Sequence, residues 1–281
     1  MAGLAFGWAG YASAQLQLVP DREPQQVFAG NTRTVTTVWQ NHGTDAVNAV
    51  IRVRMLQNSS ATAIRLGEVA WKRLQVLPGQ TVLETAQLDF PLVKAETKFL
   101  VQWLEGTNRV LGKTEVLVYP TNLLAQLKPL ADGEALGVFD QQNQLKPLLK
   151  SLNIEFVNLE NSGVENFSGR LAIVGPFQSI AQVREGLLNQ IQALAKKGAA
   201  IVWLQPPPEP LPQPSPIQRE RKKLQPSFYS VSESTNTVIV VQPDLVADLP
   251  DNPQSQLNLI YLCKLALQPE TFHFPNLTTQ P

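Results

Sequence analysis

The sequence predicts two domains, an all-β sandwich followed by an α/β doubly wound parallel sheet. Three observations carry this reading. From Gln15 to about Pro120, apolar residues recur with a period of two, as in strands with one face inward and one in water. After Pro120, short unbroken apolar runs alternate with stretches at helical spacing, the pattern of strands buried on both faces. The change of period places the boundary between Tyr119 and Ala135.

In the first domain, the β-branched run Thr32 to Trp39 ends at the turn Asn41-His42-Gly43. Ile51, Val53 and Met55 alternate with Arg52 and Arg54. Val76 to Gln80 is a turn, and Thr81 to Leu88 is the strand after it. Phe99, Val101 and Trp103 begin another strand, Gly106-Thr107-Asn108 reverses the chain, and Thr114 to Tyr119 closes the domain. About seven short strands without a helical period fit two antiparallel sheets. Trp39, Trp71 and Trp103 are read as core, not as a platform for sugar rings.

In the second domain, Leu136 to Phe139 is a short strand ending at Asp140. Leu145, Leu148, Leu149 and Leu152 follow helical spacing, and Asn153 suits a helix C-terminus. Ile154 to Leu159 and Leu171 to Val174 are strands, the latter ending at Gly175-Pro176-Phe177. Ser179 and Gln182 form a capping box for a helix with the stripe Ile180, Val183, Leu187, Ile191 and Leu194, ended by Gly198. Ala199 to Leu204 and Val238 to Val241 are buried strands. Asn252-Pro253 opens a last helix through Leu267, with Leu257, Ile260, Tyr261 and Lys264 on one side. A proline-rich insertion spans 205–226 and contains the basic run Arg219 to Lys223. The domains are therefore 15–120 and 121–281.

Residues 1–14 carry no charge, and Ala12-Ser13-Ala14 has the small-x-small form of a signal peptidase site before Gln15. We read them as a signal peptide lacking its basic start, which implies a periplasmic or extracellular protein. No later run approaches the roughly 18 apolar residues of a transmembrane span. The formal net charge of +0 gives no electrostatic footprint for nucleic acid. One cysteine and two histidines exclude a disulfide framework and a multi-cysteine zinc site. No metal ligand set and no cofactor motif is present.

The stretches AGNTRTVTTVWQNHGTDAV and LPGQTVLETAQLDFP resemble the immunoglobulin-like modules appended to bacterial surface proteins and glycosidases. The stretches GRLAIVGPF, ALAKKGAAIVWLQ and NPQSQLNLIYLCKLAL resemble the class I glutamine-amidotransferase-like, flavodoxin-like superfold, including the amidotransferase-like domains of some bacterial β-galactosidases. The resemblance implies an immunoglobulin-like sandwich fused to an α/β domain. Members of the second family carry a cysteine nucleophile in a glycine-flanked elbow after a strand. Here Ala199 to Leu204 runs instead into Gln205-Pro206-Pro207-Pro208, and Cys263 falls inside the last helix. The resemblance thus implies fold without chemistry.

Ligands of open parallel sheets bind beyond the carboxyl ends of the strands. That rule nominates Asp140, Glu160, Gly175, Gln205, Gln242 and Asp244 as ligand-binding residues. Asp140 with Glu160 is also the pair that a carboxylate-dependent hydrolase would need. Gly175-Pro176-Phe177 before a helix N-terminus is either an anion cradle or a plain turn. No residue is assigned as catalytic. The expected function is that of a non-catalytic exported binding or structural protein, which the resemblance associates with carbohydrate processing, with carbohydrate or another exported protein as partner. The alternatives are a glycosidase-related hydrolase and the C-terminal fragment of a larger extracytoplasmic enzyme.

Overall fold

The computed structural model describes residues 16–58, 62–106, 108–177, 186–204, 228–233, 236–241 and 245–268. The chain divides into two compact units between Thr121 and Asn122. The 1–14 segment, the Ser179/Gln182 capping box, the insertion 205–226 and the last thirteen residues lie outside the described residues.

The first unit contains β1 (Leu16–Val19), β2 (Gln25–Phe28), β3 (Thr32–Asn41), β4 (Val47–Asn58), β5 (Ala63–Val76), β6 (Thr81–Asp89), β7 (Thr97–Glu105) and β8 (Arg109–Tyr119). They form a three-stranded sheet, β1-β3-β6, and a five-stranded sheet, β2-β8-β7-β4-β5. No helix occurs among the described residues of 32–118. The alternation works as read: Ile51 and Val53 are buried, while Arg52 and Arg54 point outward. Inward residues of both sheets, among them Val35, Trp39, Leu88, Ile51, Phe99 and Trp103, share one core.

Two features depart from the expected pair of antiparallel sheets. The pairing is antiparallel throughout except that β2 runs parallel to β8. In addition, β5 is a 14-residue strand that the period of two does not reveal. It is the sheet's edge, and apart from Glu68 its first half is exposed on both faces. A strand with no buried face has no reason to alternate.

The second unit opens with a 3-10 turn at Leu123–Gln126 and α1 (Leu127–Leu130), then β9 (Leu136–Phe139), α2 (Leu145–Ser151), β10 (Phe156–Asn158), α3 (Leu159–Ser162) and a 3-10 turn at Val164–Asn166. It continues with β11 (Leu171–Val174), α4 (Leu187–Lys196), β12 (Ala200–Leu204), β13 (Phe228–Glu233), β14 (Asn236–Val241) and α5 (Pro253–Leu267). The sheet order is β10-β9-β11-β12-β14-β13. Five strands are parallel, as expected, but β13 pairs antiparallel with β14, so the sheet is mixed. Two residues suffice to join β13 to β14, which an antiparallel hairpin permits and a parallel pair does not.

Both faces of the parallel strands are buried. Phe139, Ala172, Val174, Ile201 and Val240 pack with α3 and α4 on one side. Val138, Ile173, Val202 and Ile239, on the alternate positions, are equally inaccessible. This double burial explains the unbroken apolar runs. Helix α5 lies on β12 and β14 and also meets the 123–126 turn and α1. It is therefore buried around most of its circumference, and the side carrying Leu257, Tyr261 and Lys264 is its more exposed one.

Helix ends follow side-chain chemistry. Asn153 adopts φ 54°, and the N–H groups of Asn153 and Ile154 donate to Lys150 and Leu149 O, a Schellman motif closing α2. Gly198, at φ 104°, closes α4 in the same way, with bonds to Ala195 and Leu194. Asn252 caps α5 by accepting from Gln254 and Ser255 N–H, with Pro253 in the first turn. Of the helix expected from Ser179, the described residues contain Leu187–Lys196, with the stripe positions Leu187, Ile191 and Leu194 buried. Gly186 has φ 79°, a left-handed conformation that a continuous helix does not contain.

Candidate functional site

Numbered in chain order, the five parallel strands run 2-1-3-4-5, so the winding reverses between β9 and β11. Ligand crevices of doubly wound sheets form at that reversal, beyond the carboxyl ends. Here those ends are Phe139-Asp140 and Val174-Gly175, with Glu160 two residues beyond β10. Three of the nominated residues, Asp140, Glu160 and Gly175, thus come together on neighbouring strands. Gln205, Gln242 and Asp244 lie outside the described residues.

Asp140 is fully buried. Its Oδ1 accepts from Gln144 N–H at 3.2 Å, and its Oδ2 accepts from Leu145 and Lys146 N–H at 2.8 and 3.0 Å. These are first-turn donors of α2, which have no partner inside the helix. A carboxylate at that position also meets the positive end of the helix dipole. Glu160 is held from two sides. Its Oε1 accepts from the backbone N–H of Asp140 at 2.6 Å, and Lys146 Nζ lies 2.9 Å from both of its carboxylate oxygens. Asn158 accepts from Glu160 N–H and so fixes its backbone. The three residues close a ring in which each touches the other two.

The ring determines what the site can do. Acid–base chemistry needs a carboxyl group presented to substrate. Asp140 presents its carboxyl to a helix end. Glu160 presents its own to a backbone N–H and an ammonium group, with a side chain 19% exposed. Lys146 was not anticipated from the sequence. A signal for it exists: a lysine in the first turn of a helix opposes the dipole and calls for an acidic partner.

Gly175 carries no unused donor. Its N–H donates to Phe139 O at 2.7 Å, and its φ is 98°. A Cβ placed there would sit 2.2 Å from Leu204 O. The residue is glycine because the β11 end passes directly against the β12 backbone. Gly175–Pro176 is a cis peptide, and Phe177 packs beside Phe139, with ring centroids 5.9 Å apart.

The remaining candidates fall into place individually. Trp39 and Trp103 are fully buried, and their indole N–H groups donate to Thr37 and Thr114. Trp71 packs on both, with centroids 6.3 and 5.0 Å away. His42 is an exposed turn residue. Cys263 is fully buried in α5, and burial pushes its thiol up to about 12. A cleft of about 540 Å³ lies at the opposite end of the sheet, where Arg170 and Ala199 precede β11 and β12. Its Lys197 ammonium is taken by Glu165 O at 2.6 Å. Among the described residues no helix is long and apolar enough to cross a membrane, and no group of three or more His, Cys, Asp or Glu side chains could hold a metal ion.

No protein-family model and no curated protein matches the chain. Parts of it are similar to solved structures. The alkylpurine DNA glycosylase AlkC of Pseudomonas fluorescens aligns over 38% of this chain and 31% of its own, at 11% identity and a TM-score of 0.30. A β-glucosidase of Listeria innocua aligns over 37% of this chain and 16% of its own, at 16% identity and a TM-score of 0.28. The sporulation control protein Spo0M of Bacillus subtilis aligns over 42% of this chain and 57% of its own, at 11% identity and a TM-score of 0.29. The chain spans less than two thirds of each of these proteins. Likeness at this level carries neither fold nor function across.

Proposed function

We propose that this chain is a non-catalytic, exported binding protein. In this reading an immunoglobulin-like sandwich is joined to an amidotransferase-like α/β unit that keeps the flavodoxin-like fold without its chemistry. The order β2-β8-β7-β4-β5 facing β1-β3-β6, with β2 parallel to β8, supports the first assignment. The 2-1-3-4-5 order of the parallel strands supports the second.

The observation that carries the functional reading is the ring at the winding reversal. Asp140 spends its carboxylate on three helix N–H groups, and Glu160 spends its own on Asp140 and Lys146. The carboxylate pair that a hydrolase would use serves the fold. The cysteine that an amidotransferase would use is buried in α5. Among the described residues, the exposed large apolar side chains are all aliphatic, which favours a protein partner over a carbohydrate, since sugars stack on aromatic rings.

Two measurements test this. Incubation of the full chain with glutamine and a panel of nitrophenyl glycosides should give no turnover above buffer. Turnover that Glu160→Gln or Cys263→Ser abolishes would overturn the non-catalytic reading. Expression in a bacterial host should yield a periplasmic chain whose mass begins at Gln15, and an intact cytoplasmic chain would overturn export.

A further inference from the structure

The chain is electrically neutral as a whole, yet one of its surfaces is not. The outward face of the β2-β8-β7-β4-β5 sheet carries Arg52 and Arg54 on β4 and Arg65 and Arg73 on β5. It also carries Lys98 on β7 and Lys113 on β8. Against these six cations stand two carboxylates, Glu68 and Glu115. Glu115 is matched by Lys98 at 2.6 Å.

Glu68 is the centre of an arginine cluster. Its side chain is 7% exposed and receives Arg52 Nη2 at 2.8 Å, Arg54 Nε at 2.9 Å and Arg65 Nη2 at 2.7 Å. One carboxylate cannot neutralise three guanidinium groups. It fixes their orientation and leaves an excess of positive charge, with the side chains of Arg52 and Arg65 39% and 58% exposed. Guanidinium groups held in place lose less freedom when they bind a second carboxylate, and their planar fork matches its geometry.

Aliphatic side chains lie between the charges. Leu56 and Leu100 are a cross-strand pair, partly buried, and Val50 is 48% exposed. Along β4 the outward row reads Val50, Arg52, Arg54 and Leu56, and like-facing residues of a strand recur about every 6.8 Å, the repeat of one face of an extended peptide. At the edge of the sheet β5 pairs only with β4.

We propose that this face binds an acidic, extended polypeptide segment that presents carboxylates and apolar side chains on the same side. The proposal rests on the binding reading above and gives it a surface and a partner chemistry. Charge complementarity selects the acidic groups. The leucines and valine select a peptide over a uniformly charged polyanion, which would leave them uncovered.

The test uses the full chain and a synthetic peptide repeating leucine, serine, glutamate, serine, glutamate and serine, which puts leucine and glutamate on one face of an extended chain, titrated at low salt. The wild type should bind it, and affinity should fall as salt is raised. Arg52→Gln with Arg65→Gln should weaken binding about tenfold, whereas Lys128→Gln with Lys150→Gln, which removes the same charge from exposed helix positions of the other unit, should not. If the arginine pair unfolds the protein by circular dichroism, Lys98→Gln with Lys113→Gln should weaken binding in the same direction. The proposal is overturned by absence of binding, by equal losses in the control pair, or by dextran sulfate binding as tightly as the peptide. Failure here leaves the turnover assay untouched, and turnover defeats the non-catalytic reading however the peptide titrates.

Discussion

The backbone N–H of Asp140 donates to Glu160 at 2.6 Å, and this bond ties the end of β9 to the start of α3. Asp140 in turn gathers three N–H groups of α2. The residue after a parallel strand is where doubly wound folds usually place ligand contacts. Here that position holds the strand-to-helix turn together.

Asp140→Ala should therefore cost stability. It removes the acceptor for three buried donors, and about 2 to 4 kcal/mol is expected in chemical denaturation. Glu160→Gln keeps an acceptor and loses the charge facing Lys146, so its loss should be smaller, about 1 kcal/mol. An unchanged midpoint for Asp140→Ala would mean that the carboxylate is available for a ligand.

Gly175→Ala tests the close approach of β11 and β12. The added methyl would meet Leu204 O at 2.2 Å, in a backbone conformation with φ 98° that side chains rarely adopt. Backbone cannot move aside as a side-chain tip can. A loss of about 3 kcal/mol or more is expected from thermal or denaturant unfolding. Tolerance of alanine at wild-type stability would refute the close contact.

Much of this was legible in the sequence, and what was not has physical causes. The strand Thr32–Asn41 and the helix from Asn252-Pro253 were readable because burial of one face and capping of an end leave local marks. Strand β5 left none, because an exposed edge imposes no alternation. The site shows the same division. The positions of Asp140 and Gly175 follow from where strands end, but their use does not. Lys146 lies six residues after Asp140 and Glu160 twenty residues after it, and only the parallel pairing of β9 with β10 brings them together. The arginine cluster was visible only as outward alternation, since its organiser, Glu68, sits on the strand that could not be read.

Glu68 predicts a pH dependence. The hydrogen bond from Arg54 holds its carboxyl below the ordinary value of 4.5, with the charges of Arg52, Arg54 and Arg65 acting in the same direction against partial desolvation. A depressed folded value means the contribution is complete above 4.5 and is lost as pH falls through the folded value below it. Acid denaturation should therefore be shallower in Glu68→Gln than in wild type below about pH 4.5, with the two curves converging as the pH falls. Parallel curves through this range would show that the cluster does not favour the ionised form.

Cys263 should be inert in the native protein. It is fully buried in α5, ten residues past the first residue of the helix and so away from the positive end of the dipole. Burial alone raises its thiol to about 12, so almost no thiolate exists at neutral pH. Lys264 follows it but is exposed on another side of the helix, about 100° round. Alkylation at neutral pH should be slow in native protein, fast after denaturation, and limited in the native state by global opening. The raised value also fixes the alkaline behaviour. A thiol protonated more strongly in the folded than in the unfolded chain contributes stability that is complete below about 8.5 and is lost as pH rises towards 12. Cys263→Ala removes that loss and leaves a small cavity, so it should unfold more readily at neutral pH yet lose less stability than wild type between about pH 9 and 12. Rapid stoichiometric labelling of the native chain would contradict both the burial and the inertness, and would return the cysteine to consideration as a nucleophile.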